Sequence, residues 1–200
     1  NPNGILFGPN ARLDLNGSFV GSSANNIVFD NYNFSAANPE APPLVTINVP
    51  LGLQYGQNPG TIINRSTAGV ADNPDTAGLG VKPGNTLALV GGDILLEGGI
   101  IATGEGRIEL GSVGSNSLVS LNSTQLGWYL GYKDVPEFRD IRLSQGAIVN
   151  GSGEFGSDIQ IAGRNLALTE GSLIYYFNNG SSTGGDIVIR TTESLEMGGG

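Results

Sequence analysis

The chain has 200 residues, which suits one domain, and 38% of them are hydrophobic, enough to supply a core. A net charge of -9 with only nine basic residues argues against nucleic acid, whose binding needs a basic surface. The absence of Cys removes disulfides and thiolate metal sites, and no apolar run approaches the ~20 residues of a membrane-spanning helix, so no membrane insertion is expected.

The first four residues, Asn1-Pro2-Asn3-Gly4, read as a turn. Pro2 sets φ for the second turn position, and Asn3 and Gly4 tolerate or favour positive φ. Ile5 and Phe7 then alternate, as do Leu13 and Leu15, and Ser18-Phe19-Val20 and Ile27-Val28-Phe29 follow around a small polar run. The adjacent Asn25 and Asn26 fit either an asparagine ladder between stacked strands or a plain polar turn. Next comes a cluster of prolines, Pro39, Pro42, Pro43, Pro50 and Pro59. Proline cannot donate to a sheet ladder, so this stretch does not lie wholly within central strands. Inside it, Leu44, Val45, Thr46, Ile47, Asn48 and Val49 alternate and are rich in β-branched residues, as an edge strand should be. Residues 70–80, with Asp72, Asn73, Pro74 and Asp75, read as a polar loop. A Ca²⁺ site is not expected there, because the G-G-x-G-x-D repeat is missing.

The central repeats are the most specific signal. Leu87, Ile94, Ile101 and Ile108 recur every seven residues, with Leu89, Leu96 and Leu110 two places after three of them. Seven glycines from Gly91 to Gly111 lie in between, and at about 1 kcal/mol each relative to alanine they exclude a coiled coil. The remaining reading is a series of short strands joined by glycine-rich corners. Three sides make a coil of 21 residues (108 − 87 = 21), placing Ile108 over Leu87 in a parallel solenoid. The motif Asp93-Ile94-Leu95-Leu96-Glu97 returns as Asp140-Ile141-Arg142-Leu143-Ser144 and as Asn165-Leu166-Ala167-Leu168-Thr169. Partner strands follow at Arg107-Ile108-Glu109-Leu110, Asp158-Ile159-Gln160-Ile161 and Asp186-Ile187-Val188-Ile189. No such unit buries its own apolar face alone, so the copies must stack. The expected inward set is Ile94, Leu96, Ile101, Ile108, Leu110, Ile141, Leu143, Ile159, Ile161, Leu166, Leu168, Ile187 and Ile189. Trp128, Tyr129 and Tyr132 fit a hairpin or loop covering a hydrophobic flank better than a sugar-stacking platform, because aromatic burial dominates packing. Tyr175-Tyr176-Phe177 is read in the same way, as a wide corner leading into a loop.

Several of these segments, in this order, resemble the exoproteins of two-partner secretion, the filamentous haemagglutinin family, in the form abundant in cyanobacteria. They are NPNGILFGPNARLDLNGSF, AANPEAPPLVTINVPLGLQYG, LALVGGDILLEGG, GRIELGSV and DIRLSQGAIVNGSGEFGSDIQI, which together span essentially the whole chain. The resemblance implies an all-β fold, a right-handed parallel β-helix with extra-helical strands. It implies one domain over residues 1–200: the later part of a secretion domain at about 1–150 running into further β-helix repeats at about 151–200, with an extra-helical excursion at about 38–60. The family's signal peptide, cap and earlier motif lie upstream of the segments matched here, and the sequence reads as an internal piece of a longer protein. Export through the periplasm of a Gram-negative-type bacterium to the cell surface or medium is implied, with an adhesin-like role and an unidentified glycan or protein ligand. The implied partner is an outer-membrane transporter whose periplasmic domains recognise the secretion domain. Asn1, Pro2, Asn3 and Gly4 would then form the secretion motif turn, and Leu44, Val45, Thr46, Ile47, Asn48 and Val49 a candidate contact strand.

Catalysis has little to draw on. With no His and no Cys, the common general base and thiol nucleophile are missing. Asp93, Glu97, Glu105 and Glu109 are candidates for a carboxylate pair, and Lys82, Arg107, Lys133, Arg139, Arg142 and Arg164 for the basic residue of a polysaccharide lyase. Glu97 and Glu109, however, fall at or beside outward strand positions, where charge normally faces water. The expectation is no turnover, no metal site and no tightly bound cofactor. A carbohydrate-active β-helix enzyme and a purely structural spacer are the competing readings.

Overall fold

The structure is a computed structural model that describes residues 1–38, 49–69, 77–125, 127–181 and 183–198. Among these residues it is all β, with no helix. The strands before the central repeats are β1 (Ile5–Phe7), β2 (Phe19–Ser22), β3 (Asn26–Val28), β4 (Asn33–Ser35), β5 (Gly52–Gln54), β6 (Ile62–Asn64) and β7 (Leu79–Gly80). The repeats supply β8 (Thr86–Gly91), β9 (Ile94–Glu97), β10 (Ile100–Ala102) and β11 (Arg107–Ser112). A hairpin follows, β12 (Leu118–Thr124) and β13 (Gly127–Asp134). The chain then continues with β14 (Ile141–Ser144), β15 (Ile148–Asn150), β16 (Asp158–Leu168), β17 (Leu173–Tyr175) and β18 (Ile187–Met197).

Three parallel ladders form the body. The first runs β2, β8, β11, then the first halves of β16 and β18; the second runs β1, β6, β9, β14, then their second halves. Because β16 and β18 pass from one ladder to the other near Gly163, where their mutual register shifts, these two ladders join into one nine-stranded sheet. The third ladder is β7, β10, β15 and β17. From β8 onward the chain visits first, second and third ladders in unchanging rotation. Ile108 pairs with Leu87, as the 21-residue spacing predicts, and on its other side with Ile159. The repeated motif stacks in register as well: Ile94 on Ile141 and Ile141 on Leu166.

The corners explain how a polar sequence turns so tightly. Ser144-Gln145-Gly146-Ala147 closes with the Ala147 N–H donating to the Ser144 carbonyl at 3.2 Å, and Thr169-Glu170-Gly171-Ser172 closes in the same way at 3.1 Å. Both central residues of each turn take positive φ, 58° and 70° in one and 53° and 72° in the other, the type I′ geometry.

Two cores result. The first lies inside the three ladders and contains Ile94, Leu96, Ile101, Ile108, Leu110, Ile141, Leu143, Ile159, Ile161 and Leu166, all of them expected inward. Leu168 and Ile189 pack against it half-buried. Ile187 departs from expectation, being 40% exposed. It lies in β18, which pairs with β16 on one side and with no described strand on the other. Leu15 is likewise 37% exposed rather than part of a strand.

The second core lies outside the first ladder, beneath an antiparallel sheet ordered β13, β12, β5, β3, β4. Ala88 and Val90 of β8 point into it, together with Leu53, Tyr55, Val113, Val119 and Leu130. This is why all six residues of β8 are buried: Leu87 and Leu89 face one core and Ala88 and Val90 the other. The aromatic group at Trp128 and Tyr132 belongs to the covering hairpin, as its composition suggested. No asparagine ladder forms between stacked strands at this pair: Asn25 Oδ1 accepts the Gly56 N–H at 2.6 Å, and Asn26 opens β3 with Ser35 and Gln54 as its cross-strand neighbours.

Candidate functional site

The turn at the start of the chain is built as its residue types suggest. The Gly4 N–H donates to the Asn1 carbonyl at 3.0 Å across Pro2 and Asn3, and the Asn3 N–H donates to Asn1 Oδ1 at 3.3 Å. Of the four residues only Gly4 takes positive φ, 103°. Asn3, whose type tolerates positive φ, does not adopt it; a Pro-led turn of this kind leaves its third residue in the ordinary region. A Cβ on Gly4 would stand 2.4 Å from the Thr61 carbonyl oxygen, while the Ile5 N–H donates to that oxygen at 3.0 Å and starts the β1–β6 ladder. The turn therefore rests on Gly60 and Thr61, and the Asn58-Pro59 just before them repeats the Asn-Pro of the first turn one coil later. Sequence reading missed this second copy, although the shared dipeptide was there to be found.

Of the expected contact strand, Leu44, Val45, Thr46, Ile47 and Asn48 lie outside the described residues. Val49 is 52% exposed, and the chain rejoins the antiparallel sheet at Leu51, whose N–H donates to the Val28 carbonyl at 2.8 Å.

The most unusual chemistry lies where the covering sheet meets the first ladder. β13 is a margin of that sheet, so the backbone groups of Trp128 and Leu130 that point away from β12 have no strand among the described residues to pair with. Side chains from three successive coils take the place of that strand. Thr86 Oγ1 of β8 accepts the Trp128 N–H at 2.9 Å and donates to the Trp128 carbonyl at 3.1 Å. Glu109 Oε1 of β11 accepts the Leu130 N–H at 3.4 Å, and Gln160 Nε2 of β16 donates to the Leu130 carbonyl at 3.0 Å. Gln160 also donates to Glu109 Oε2 at 3.0 Å, and Arg190 donates to Gln160 Oε1 at 3.1 Å. Gly111 makes the fit possible, since a Cβ there would stand 2.4 Å from the Tyr132 hydroxyl.

Glu109 overturns the expectation that it faces water. It does point outward from the coil, but the hairpin covers it completely, at 0% exposure. Burial pushes its carboxyl up to about 7; the Arg107 guanidinium, the Leu130 N–H and Gln160 pull the other way without compensating. Tyr132 beside it is raised well above its ordinary value, first by burial and then by the Glu109 charge, and its buried hydroxyl has no hydrogen-bond partner among the described residues.

The four candidate carboxylates have separate partners. Asp93 Oδ1 accepts the Asp140 N–H at 3.1 Å, Glu97 pairs with Arg65 at 2.7 Å, and Glu105 Oε1 accepts the Glu154 N–H at 3.1 Å. Glu109 is held by Arg107, Gln160 and Leu130. Among the basic candidates, Arg107 also pairs with Asp158, and Arg164 grips both oxygens of Asp140 at 2.9 and 2.8 Å. That fork, first through its hydrogen bonds, holds the Asp140 carboxyl below its usual range. Lys82 reaches Asn16, the buried Nε of Arg139 has no partner among the described residues, Arg142 lines a shallow groove beside Glu97 and Glu196, and Lys133 lines one beside Tyr129 and Arg190. Among the described residues, no three acidic side chains converge in a metal-binding group.

Parallel strands stacked in rotation, with an antiparallel sheet covering one flank, define an all-β scaffold of stacked coils. Residues 1–164 match the family described as the TPS secretion domain, and the chain belongs to that family. It is thus the secretion domain of a two-partner secreted exoprotein, recognised by an outer-membrane transporter of a Gram-negative-type cell. The match ends at Arg164, at the point where β16 crosses from the first ladder to the second. No curated protein and no solved structure gives a significant match.

Proposed function

We propose that this chain is the right-handed parallel β-helix of a surface-associated, adhesin-like exoprotein, and that the transporter's periplasmic part reads it through an extended strand. The observation that carries this reading is the family match over residues 1–164, together with the unchanging rotation of the chain through three parallel ladders. In this reading residues 1–150 hold the later part of the secretion domain and 151–200 continue as further β-helix repeats. The excursion at 38–60 lies outside the helix, and Leu44, Val45, Thr46, Ile47, Asn48 and Val49 form the contact. An alternating β-branched strand suits backbone pairing with a partner's sheet edge, which is how extended peptides are commonly captured. Asn1-Pro2-Asn3-Gly4 acts indirectly, by setting the turn that starts the ladder.

Two variants of the full chain test these roles, with binding to the transporter's periplasmic part measured alongside folding and secretion. Placing lysine at Val45 and Ile47 is expected to weaken binding at least about tenfold, or about 1.4 kcal/mol. Unchanged binding would remove that strand from the contact. Gly4→Val is expected to reduce folding and secretion together, because a β-branched residue resists positive φ. A Gly4→Val chain that folds normally yet loses binding would make the turn a direct docking signal instead.

A further inference from the structure

We propose that the outer edge of β13, at Trp128 and Leu130, is a strand-addition surface for an extended segment of the transporter's periplasmic part, and that Thr86, Glu109 and Gln160 close it when the coil has stacked. The inference rests on the reading that this transporter recognises the chain, and it names a second strand by which it does so.

The two sides of β13 differ in the sequence separation of their partners. The hairpin pairs locally: Thr124 faces Gly127 and Leu121 faces Leu130. Its outer edge is satisfied only from far away, by Thr86 at a separation of 42 residues, Glu109 at 21 and Gln160 at 30. Closing a short local loop is entropically easier than assembling distant coils, so the hairpin forms before β8, β11 and β16 are stacked. During that interval the N–H and C=O groups of Trp128 and Leu130 are open on one side. Unpaired strand groups of this kind recruit another strand.

The chemistry of the closure points the same way. Were β13 sealed by a neighbouring strand, a partner would have to displace a continuous ladder. Here the seal is four side-chain contacts of 2.9 to 3.4 Å from three residues, none of which faces the inner core. A partner strand supplies the same donors and acceptors from its backbone. β13 is also amphipathic: Trp128, Leu130 and Tyr132 pack on the second core, while Tyr129 lies at 37% exposure. An added strand would therefore meet an apolar face beside the open edge. Once the coils stack, the side chains occupy the edge and exclude the partner, so folding itself releases the chain from its carrier.

The test uses the full chain carrying Thr86→Val and Gln160→Met, which keep side-chain size while removing the bonds to Trp128 and the Leu130 carbonyl. Amide exchange at Trp128 and Leu130 is expected to quicken at least tenfold while Ile108 and Ile159 stay protected. Diluted from urea into the transporter's periplasmic part, the variant is expected to stay bound at least tenfold longer than the parent, because its edge closes more slowly. Faster exchange with an unchanged bound lifetime overturns the proposal and leaves the side chains as simple edge protection; unchanged exchange overturns it too. If the double variant does not fold, Gln160→Met alone is judged by the same two readouts at Leu130. The urea-unfolded parent is the control: if it fails to bind the periplasmic part at all, recognition by this transporter fails, and not merely the assignment of β13.

Discussion

Ile108→Ala is expected to lower unfolding free energy by about 2–5 kcal/mol, the range for truncating a fully buried isoleucine with a cavity left behind. Ile108 is 0% exposed and sits in the middle of the first ladder, between Leu87 and Ile159. Its neighbours are held by backbone pairing on both sides, so the wall has little freedom to collapse into the space. The urea midpoint should fall with little change in slope, since the surface exposed on unfolding is nearly the same. Ile187→Ala is the internal comparison. It occupies the corresponding register position in β18 but is 40% exposed, and its loss should be clearly smaller. Equal losses at the two positions, or a loss below about 0.5 kcal/mol at Ile108, would contradict the placement of the inner core.

The second large effect is a dependence on pH. Glu109 has its carboxyl pushed up to about 7 in the folded chain against an ordinary 4.5, because burial disfavours its charge. A group whose folded value is raised contributes stability that is present below its unfolded value and lost as pH rises through the folded one. The window is therefore about 4.5 to 7, and at 1.36 kcal/mol per unit the loss approaches roughly 3 kcal/mol above it. Asp140 works in the opposite sense: its lowered value adds stability at neutral pH that is lost in acid. Glu109→Gln isolates the first effect, because glutamine keeps the size and an acceptor for the Leu130 N–H without the charge. The variant should gain on the parent by about 2 kcal/mol between pH 5 and pH 8. Parallel stability curves across that window would mean that Glu109 is not buried as a carboxyl under the hairpin.

The inner core was legible because a strand's alternation is written directly into the sequence. Leu87, Ile94, Ile101 and Ile108 recur at the length of one side, and glycines mark the corners, so both the coil length and the partner of Ile108 followed. The outer core was not legible, because its lid comes from distant segments at 26–35, 52–54 and 118–134. Thr86-Leu87-Ala88-Leu89-Val90 nevertheless carried a trace of it: a strand apolar on both faces needs cover on both. Glu109 misled for the same reason. The alternation rule assigned it outward correctly, and nothing local indicated that Leu130 would descend on it. At the start of the chain Gly4 takes positive φ and Asn3 does not, since turn preferences name residue types without fixing which position takes it.

The central claim is that a transporter exports this domain by recognising it. The direct measurement is the amount of chain released into the medium by cells that carry the cognate transporter, compared with cells lacking it, when the chain is supplied with a leader for inner-membrane export. Folded, protease-resistant chain is expected in the medium only where the transporter is present, with degradation or retention in the periplasm where it is absent. Equal release from both cells would contradict it.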